Sequence, residues 1–100
     1  MKFDKQMDIV SEEKVSDGMG GYEVIKVVIG SIQAFTTPVK AEIMLKEHGI
    51  VSTTALKVFT KDTLPNEFVQ LRYGETMYKI LQLADFGKLR MLLVEVIPNG

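Results

Sequence analysis

Hydrophobic and polar positions alternate along much of this 100-residue chain with the period of two that marks half-buried strands. Met7 and Ile9 alternate against Gln6 and Asp8, which predicts a first strand near residues 6–15. Three glycines and an aspartate then fall within Ser16-Asp17-Gly18-Met19-Gly20-Gly21. That composition offers positive φ at little cost and predicts a mobile hairpin connection. Residues 22–29 form the clearest strand pattern, rich in β-branched side chains. Val24 and Val28 share one face; Ile25, Val27 and Ile29 share the other. Apolar residues on both sides imply that both faces are largely covered, or that one meets a partner. Gly30 is expected to close the strand.

Residues 34–50 break this rhythm. Thr37 reads as an N-cap and Pro38 as the first helical residue. Glu42 and Lys46 stand four apart in the favourable order, and Ala41, Met44, Leu45 and His48 share a face at helical spacing. Gly49 supplies the stop. The spacing predicts a helix of about three turns, which is marginal in water unless it packs on something.

Strand character returns over residues 51–60, followed by a loop at 61–66. Val69, Leu71 and Tyr73 alternate with Gln70 and Arg72 as a short strand, and Gly74-Glu75 makes a tight turn. Residues 76–84 fit a helix through Met77, Ile80, Leu81 and Ala84, or a strand through Tyr78 and Ile80 around Lys79. The turn signals on either side favour the strand. Asp85-Phe86-Gly87-Lys88 turns the chain into an almost continuous apolar run at 89–97, suited to a central strand, and Pro98 ends it. The expected fold is mainly β: a small antiparallel β-barrel or sandwich of about six strands in one domain over residues 1–100. A short helix or long loop is inserted at about 34–50.

Composition narrows the function by exclusion. The chain holds 46% hydrophobic and 25% charged residues, as ordinary globular domains do. It contains no cysteine, which removes disulfides, thiolate metal sites and cysteine nucleophiles. No apolar run nears the ~18 residues of a spanning helix, and Met1-Lys2-Phe3-Asp4 opens no signal-peptide core, so no membrane association is expected. Twelve basic against thirteen acidic residues, net charge -1, argue against a sequence-specific nucleic-acid binder.

No catalytic constellation emerges, so no catalytic, cofactor or metal residue is assigned and no enzyme is expected. His48 is the sole histidine and sits where an imidazolium favours a helix C-terminus. A small enzyme using His48 is the least favoured reading. Asp85-Phe86-Gly87 matches the kinase metal-binding tripeptide by letters alone; the chain is far too short for a kinase. The glycine-rich 17–21 segment lacks the spacing of phosphate-cradling loops. Lys57, Phe59, Lys61, Arg72 and Tyr73 offer the materials of a single-strand nucleic-acid surface, but Asp62, Glu67 and Glu75 interleave with them. Met44, Met77 and Met91 read as core filler, whereas Met19 in a glycine-rich turn is expected to be exposed as a contact residue. Two projecting segments, 16–21 and 34–50, point toward an assembly or interaction protein.

The order of features resembles the phage head–tail joining family, the small head-closure proteins of long-tailed bacteriophages and their prophages. The matching residues are the Asp17-Gly18-Met19-Gly20-Gly21-Tyr22 turn and Val27-Val28-Ile29-Gly30-Ser31-Ile32-Gln33-Ala34 leading into a long connection. Ala55-Leu56-Lys57-Val58-Phe59-Thr60, then Arg72-Tyr73-Gly74-Glu75-Thr76-Met77-Tyr78-Lys79-Ile80, and a last strand ending near Val96 complete the outline. The resemblance implies a structural protein of the virion, present in the host cytoplasm during assembly. It implies a ring below the portal and adaptor proteins that retains packaged DNA and docks the tail. Expected partners are the portal or adaptor, a tail protein, further copies of the chain, and double-stranded DNA met non-specifically in the channel. By this likeness residues 35–50 reach toward the channel, and the helix read at 38–48 departs from a plain loop. The candidate interaction residues are Phe35, Lys40, Met44, Lys46, His48 and Met19. The alternatives are another tail-completion or minor capsid protein of similar fold, or the single-strand binder.

Overall fold

Alternation along the strands becomes an inside and an outside in the computed structural model, which describes residues 2–65 and 69–98. Asn66, at the end of the expected 61–66 loop, and Glu67 lie outside the described residues. Among the described residues the strands are β1 (Lys5–Ser16), β2 (Tyr22–Pro38), β3 (Leu56–Thr60), β4 (Gln70–Tyr73), β5 (Thr76–Asp85) and β6 (Arg90–Val96), with one helix, α1 (Ala41–His48), between β2 and β3. They close into an antiparallel barrel in the order β1-β2-β3-β6-β5-β4. The mainly β fold with a closed six-strand barrel and one short helix is therefore as expected, and the strand reading of 76–84 is realised in β5.

Directly opposed residues share a face of a sheet, so the interior can be read from register. Met7 faces Ile32, Val58 faces Leu92, Leu71 faces Tyr78 and Ile80 faces Val94. These residues form one cluster that fills the barrel. The barrel closes where Ile9 of β1 meets Leu71 of β4, and on its outside Arg72 donates to Asp8 Oδ2 at 2.8 Å across the same seam.

A second cluster lies outside the barrel wall. Leu93 points away from the interior and packs with Val39, Met44 and Ala55 of the β2–β3 connection. The continuous apolar run of β6 follows from this: Leu92 and Val94 face in, while Leu93 and Met91 face the helix. Val39 N–H donates to the Ala55 carbonyl at 3.0 Å and draws the two ends of the insertion together.

Three boundaries differ from expectation. Gly30 does not end the second strand; it sits inside the 17-residue β2, opposite Ile9, beside a bulge in the β1–β2 ladder. Thr37 and Pro38 do not begin the helix. They pair with Lys57 and Leu56 at the end of β2, and Lys40 is the N-cap, without a side-chain cap bond. The preference of a pre-proline residue for extended backbone keeps Thr37 in the strand. Residues 51–55 are irregular rather than the start of β3, since they return from the helix with Ser52 and Ala55 buried and Val51 exposed. The buried helical face is also narrower than expected, because Met44 is fully buried whereas Leu45 is exposed.

Met44 thus anchors the helix to the barrel. Met44→Ala should lower stability by about 2–5 kcal/mol through lost transfer energy and a residual cavity. Leu45→Ala should stay within about 0.5 kcal/mol, as exposed substitutions do. Denaturant midpoints of the two variants, compared at unchanged slope, check the contrast.

Candidate interaction surface

β1 and β2 are much longer than the barrel they help to build. β4 reaches β1 only at residues 8–10, and β3 reaches β2 only from Ala34 onward. Residues 11–16 of β1 and 22–27 of β2 pair with each other alone, so a two-stranded arm extends from the barrel. The molecule measures 47 × 28 × 23 Å in consequence. The bulge stands at the root of the arm, where Ile9 opposes Gly30 but Val10 opposes Val28 and leaves Ile29 extra. Bulges of this kind bend the bulged strand and increase its twist.

The connection at the arm's tip is held rather than slack. Asp17 Oδ1 accepts the N–H groups of Met19 at 2.7 Å and Gly21 at 3.1 Å. Gly18 and Gly20 adopt φ of 79° and 84°, a region that costs other residues dearly. A Cβ on Gly21 would lie 2.7 Å from Asp17 Oδ2, so that site too admits only glycine without movement.

The arm's side chains decide its character. Tyr22 is 74% exposed and Val24 59%, and Val15, Ile25, Val28 and Ile29 are exposed as well. The expectation that both faces are largely covered does not hold within the chain; both lie open. Glu12 stands opposite Lys26 across the arm, with Gln70 Nε2 donating to Glu12 Oε1 at 3.3 Å near its root.

The six residues singled out from sequence do not form one site. Met19 sits at the arm's tip and is 90% exposed. Lys40 and Lys46 are exposed on the insertion, accompanied by exposed Glu42 and Glu47. Met44 is fully buried, so in this conformation it supports the insertion and offers no contact surface. His48 ends the helix, half-buried, with Nε2 enclosed and without a hydrogen-bond partner among the described residues. Phe35 is half-buried on β2 against Phe59, ring centroids 6.2 Å apart. The residues missed are Tyr22, Val24, Ile25 and Val28. Their signal was the apolar patterning on both faces, which a doubly buried strand shares.

The materials of a single-strand nucleic-acid surface are dispersed. Lys57 and Phe59 lie on β3, and Arg72 and Tyr73 on β4, with two strands between them either way around the barrel. Arg72 is paired with Asp8, and Lys5 Nζ lies over the Tyr73 ring at 5.4 Å.

One carboxylate is electrostatically distinctive. Glu95 on β6 accepts from Lys79 at 2.9 Å and from the Ser52 hydroxyl, and these bonds hold its pKa below the usual carboxylate range against the opposing effect of burial. The contact ties β5 and β6 to the returning limb of the insertion.

Comparison with solved structures shows the fold recurring at low identity. The chain is similar to the solution structure of a Shigella flexneri 2a protein, with TM-score 0.73 and 11% identity over 99% of this chain and 96% of that one. It is also similar to a chain in the virion of a native gene transfer agent particle, with TM-score 0.60 and 16% identity over 94% of each chain. No family model and no curated protein matches the chain.

A depressed folded-state pKa contributes stability that is present above the unfolded value and lost as pH falls through the folded one. The wild type should therefore lose stability on acidification through and below the ordinary carboxylate range. Glu95→Gln should be less stable near neutrality and show a flatter acid limb. Unfolding midpoints recorded against pH for both proteins test this, and parallel curves would refute the assignment.

Proposed function

We propose that the chain is a non-enzymatic structural protein of virion assembly, a head-closure or head–tail connector component that forms a ring below the portal or adaptor. The observation that carries this reading is the likeness of fold over 94% of both chains to a component of a gene transfer agent virion. At that identity the likeness is one of fold, and the functional step comes from combining it with the surface of this chain. The barrel interior is filled by apolar side chains, and acidic and basic groups on neighbouring strands of its wall, Asp8 with Arg72 and Glu95 with Lys79, are paired with each other. The arm, in contrast, exposes apolar residues on both faces, as a part designed to meet other proteins does.

In this reading the barrel is the rigid body of the connector, and the arm and the insertion are its contact elements. The insertion packs through one fully buried helical side chain, Met44, which suits a segment that shifts when the channel is closed. Exposed Lys40 and Lys46 would meet DNA phosphate there without sequence preference, offset by Glu42 and Glu47. The barrel holds the genome side and the tail side apart, retaining packaged DNA while docking the tail.

Two measurements together test the reading. Purified chain should bind a portal or adaptor complex in a pull-down, and the bound material should appear as rings in negative-stain images. A chain that ignores both complexes and stays monomeric overturns it. Salt-dependent single-strand binding lost on Phe59→Ala or Tyr73→Ala would favour the nucleic-acid alternative instead.

A further inference from the structure

An unpaired strand edge presents a row of backbone N–H and C=O groups that templates pairing with another chain. The arm has two such edges. On β2 the edge is capped at one point: Gln33 N–H donates to Asp62 Oδ2 at 2.7 Å, and its carbonyl accepts from Thr60 Oγ1 at 2.8 Å. From Gln33 toward the tip, residues 22–32 have no strand or side-chain partner on that side among the described residues. Residues 11–16 of β1 are likewise open on the side away from β2. The capped residue shows where pairing is terminated; the stretch beyond it is left available.

We infer that the arm is a self-association element, in which the β1 edge of one copy pairs antiparallel with the β2 edge of the next. The occupant of each free edge is a second copy of this chain, joined head to tail. This rests on the ring-forming connector reading and adds to it the segment and the register that build the ring.

Charge selects this arrangement over two-fold dimers. In a sheet, opposed residues share a face, so a two-fold pairing of β2 with itself brings together only residues separated by an even number of positions. Glu23 and Lys26 are an odd number apart and never meet in it. Pairing β1 with itself sets Glu12 opposite Lys14 only in the register that also places Glu13 opposite its own copy. Like charges directly opposed are destabilising. Pairing β1 with β2 of the next copy avoids both faults. In the register that the hairpin itself uses, Glu12 meets Lys26, Glu13 meets Ile25 and Lys14 meets Val24. A shift of two residues one way opposes Lys14 to Lys26; the other way it opposes Glu13 to Glu23. A shift of one residue turns every side chain to the wrong face. Among face-matched registers, the hairpin's own is the one that sets opposite charges against each other, Glu12 against Lys26. A head-to-tail interface of this type closes into a ring when the rotation permits.

The absence of cysteine makes the test direct. Glu12→Cys and Lys26→Cys are made in separate chains, one carrying a mass tag, then mixed at high concentration and oxidised. Opposed strand residues lie within disulfide reach, so the mixed dimer should exceed the two homodimers together several-fold. Glu13→Cys mixed with Lys26→Cys, whose thiols face opposite sides, should give no such excess. Homodimers in excess, or rings that form without the mixed cross-link, overturn the arm pairing while leaving the connector reading intact. A cross-link of the expected kind in a chain that binds no portal or adaptor does the reverse. A chain that neither cross-links nor assembles overturns both. As a check independent of thiols, Lys26→Glu should reduce the assembled fraction several-fold, and mixing that chain with a Glu12→Lys chain should restore it although each keeps like charges opposed within its own arm; assembly indifferent to Lys26→Glu, or no rescue on mixing, refutes the register.

Discussion

The continuous ladder between β1 and β2 is the constraint on which the rest of the molecule depends. Its barrel half carries Met7, Ile9, Ile32 and Ala34 into the interior, and its outer half is the arm. An isolated two-stranded hairpin is marginally stable in water at best. This one is rooted in a closed barrel, so its strands leave the wall already extended, paired and in register. The bulge between Ile9 and Val10 marks the point where one role gives way to the other. Slipping the ladder by one residue would empty the interior and turn the arm over at the same time, which is why fold and surface are specified together.

The second structural debt is the outer face of β6. A strand buried on both sides needs two covers, and the barrel interior supplies one. The insertion supplies the other by setting Val39, Met44 and Ala55 against Leu93. A helix of eight residues would not persist alone, and this one has no side-chain N-cap. It is held by Met44, by the Val39–Ala55 backbone bond, by Glu95 reaching Ser52, and by Thr54 Oγ1 on the returning limb, which accepts from Val96 N–H at 3.3 Å. These attachments form a cluster separate from the one that fills the barrel.

How much of this was legible follows from which signals are local. The strands β4, β5 and β6 read correctly because their turns, Gly74 and Asp85-Phe86-Gly87, fix their ends by backbone chemistry. Gly74 and Gly87 indeed adopt positive φ. Pro38 misled because proline suits both a first helical turn and the end of a strand, and only the pairing with Leu56 decides between them. Residues 51–55 carry β-branched side chains, yet their path is set by the need to return from the helix. Gly30 looked like a terminator, while its Cβ position lies a comfortable 3.7 Å from Ile9 Cδ1 inside the ladder. The arm was the deepest ambiguity. Val24, Ile25, Val27 and Val28 have the pattern of a strand covered on both faces, and that pattern is the same whether the cover belongs to the same chain or to another.

That ambiguity has an energetic side. Fully burying a valine or isoleucine side chain is worth about 1.5–3 kcal/mol relative to exposure. The arm leaves Val15, Val24, Ile25, Val28 and Ile29 substantially exposed, and Tyr22 more so. A chain of this size has only modest stability to spare, so such a run of exposed apolar side chains weighs against the free state and in favour of any assembly that covers it. The charged residues interspersed among them, Glu12, Glu13, Lys14, Glu23 and Lys26, keep the arm soluble and penalise most ways of covering it. Attraction is therefore broad and apolar, while discrimination is narrow and electrostatic. This division of labour suits a part that must find one neighbour in one register and reject the rest.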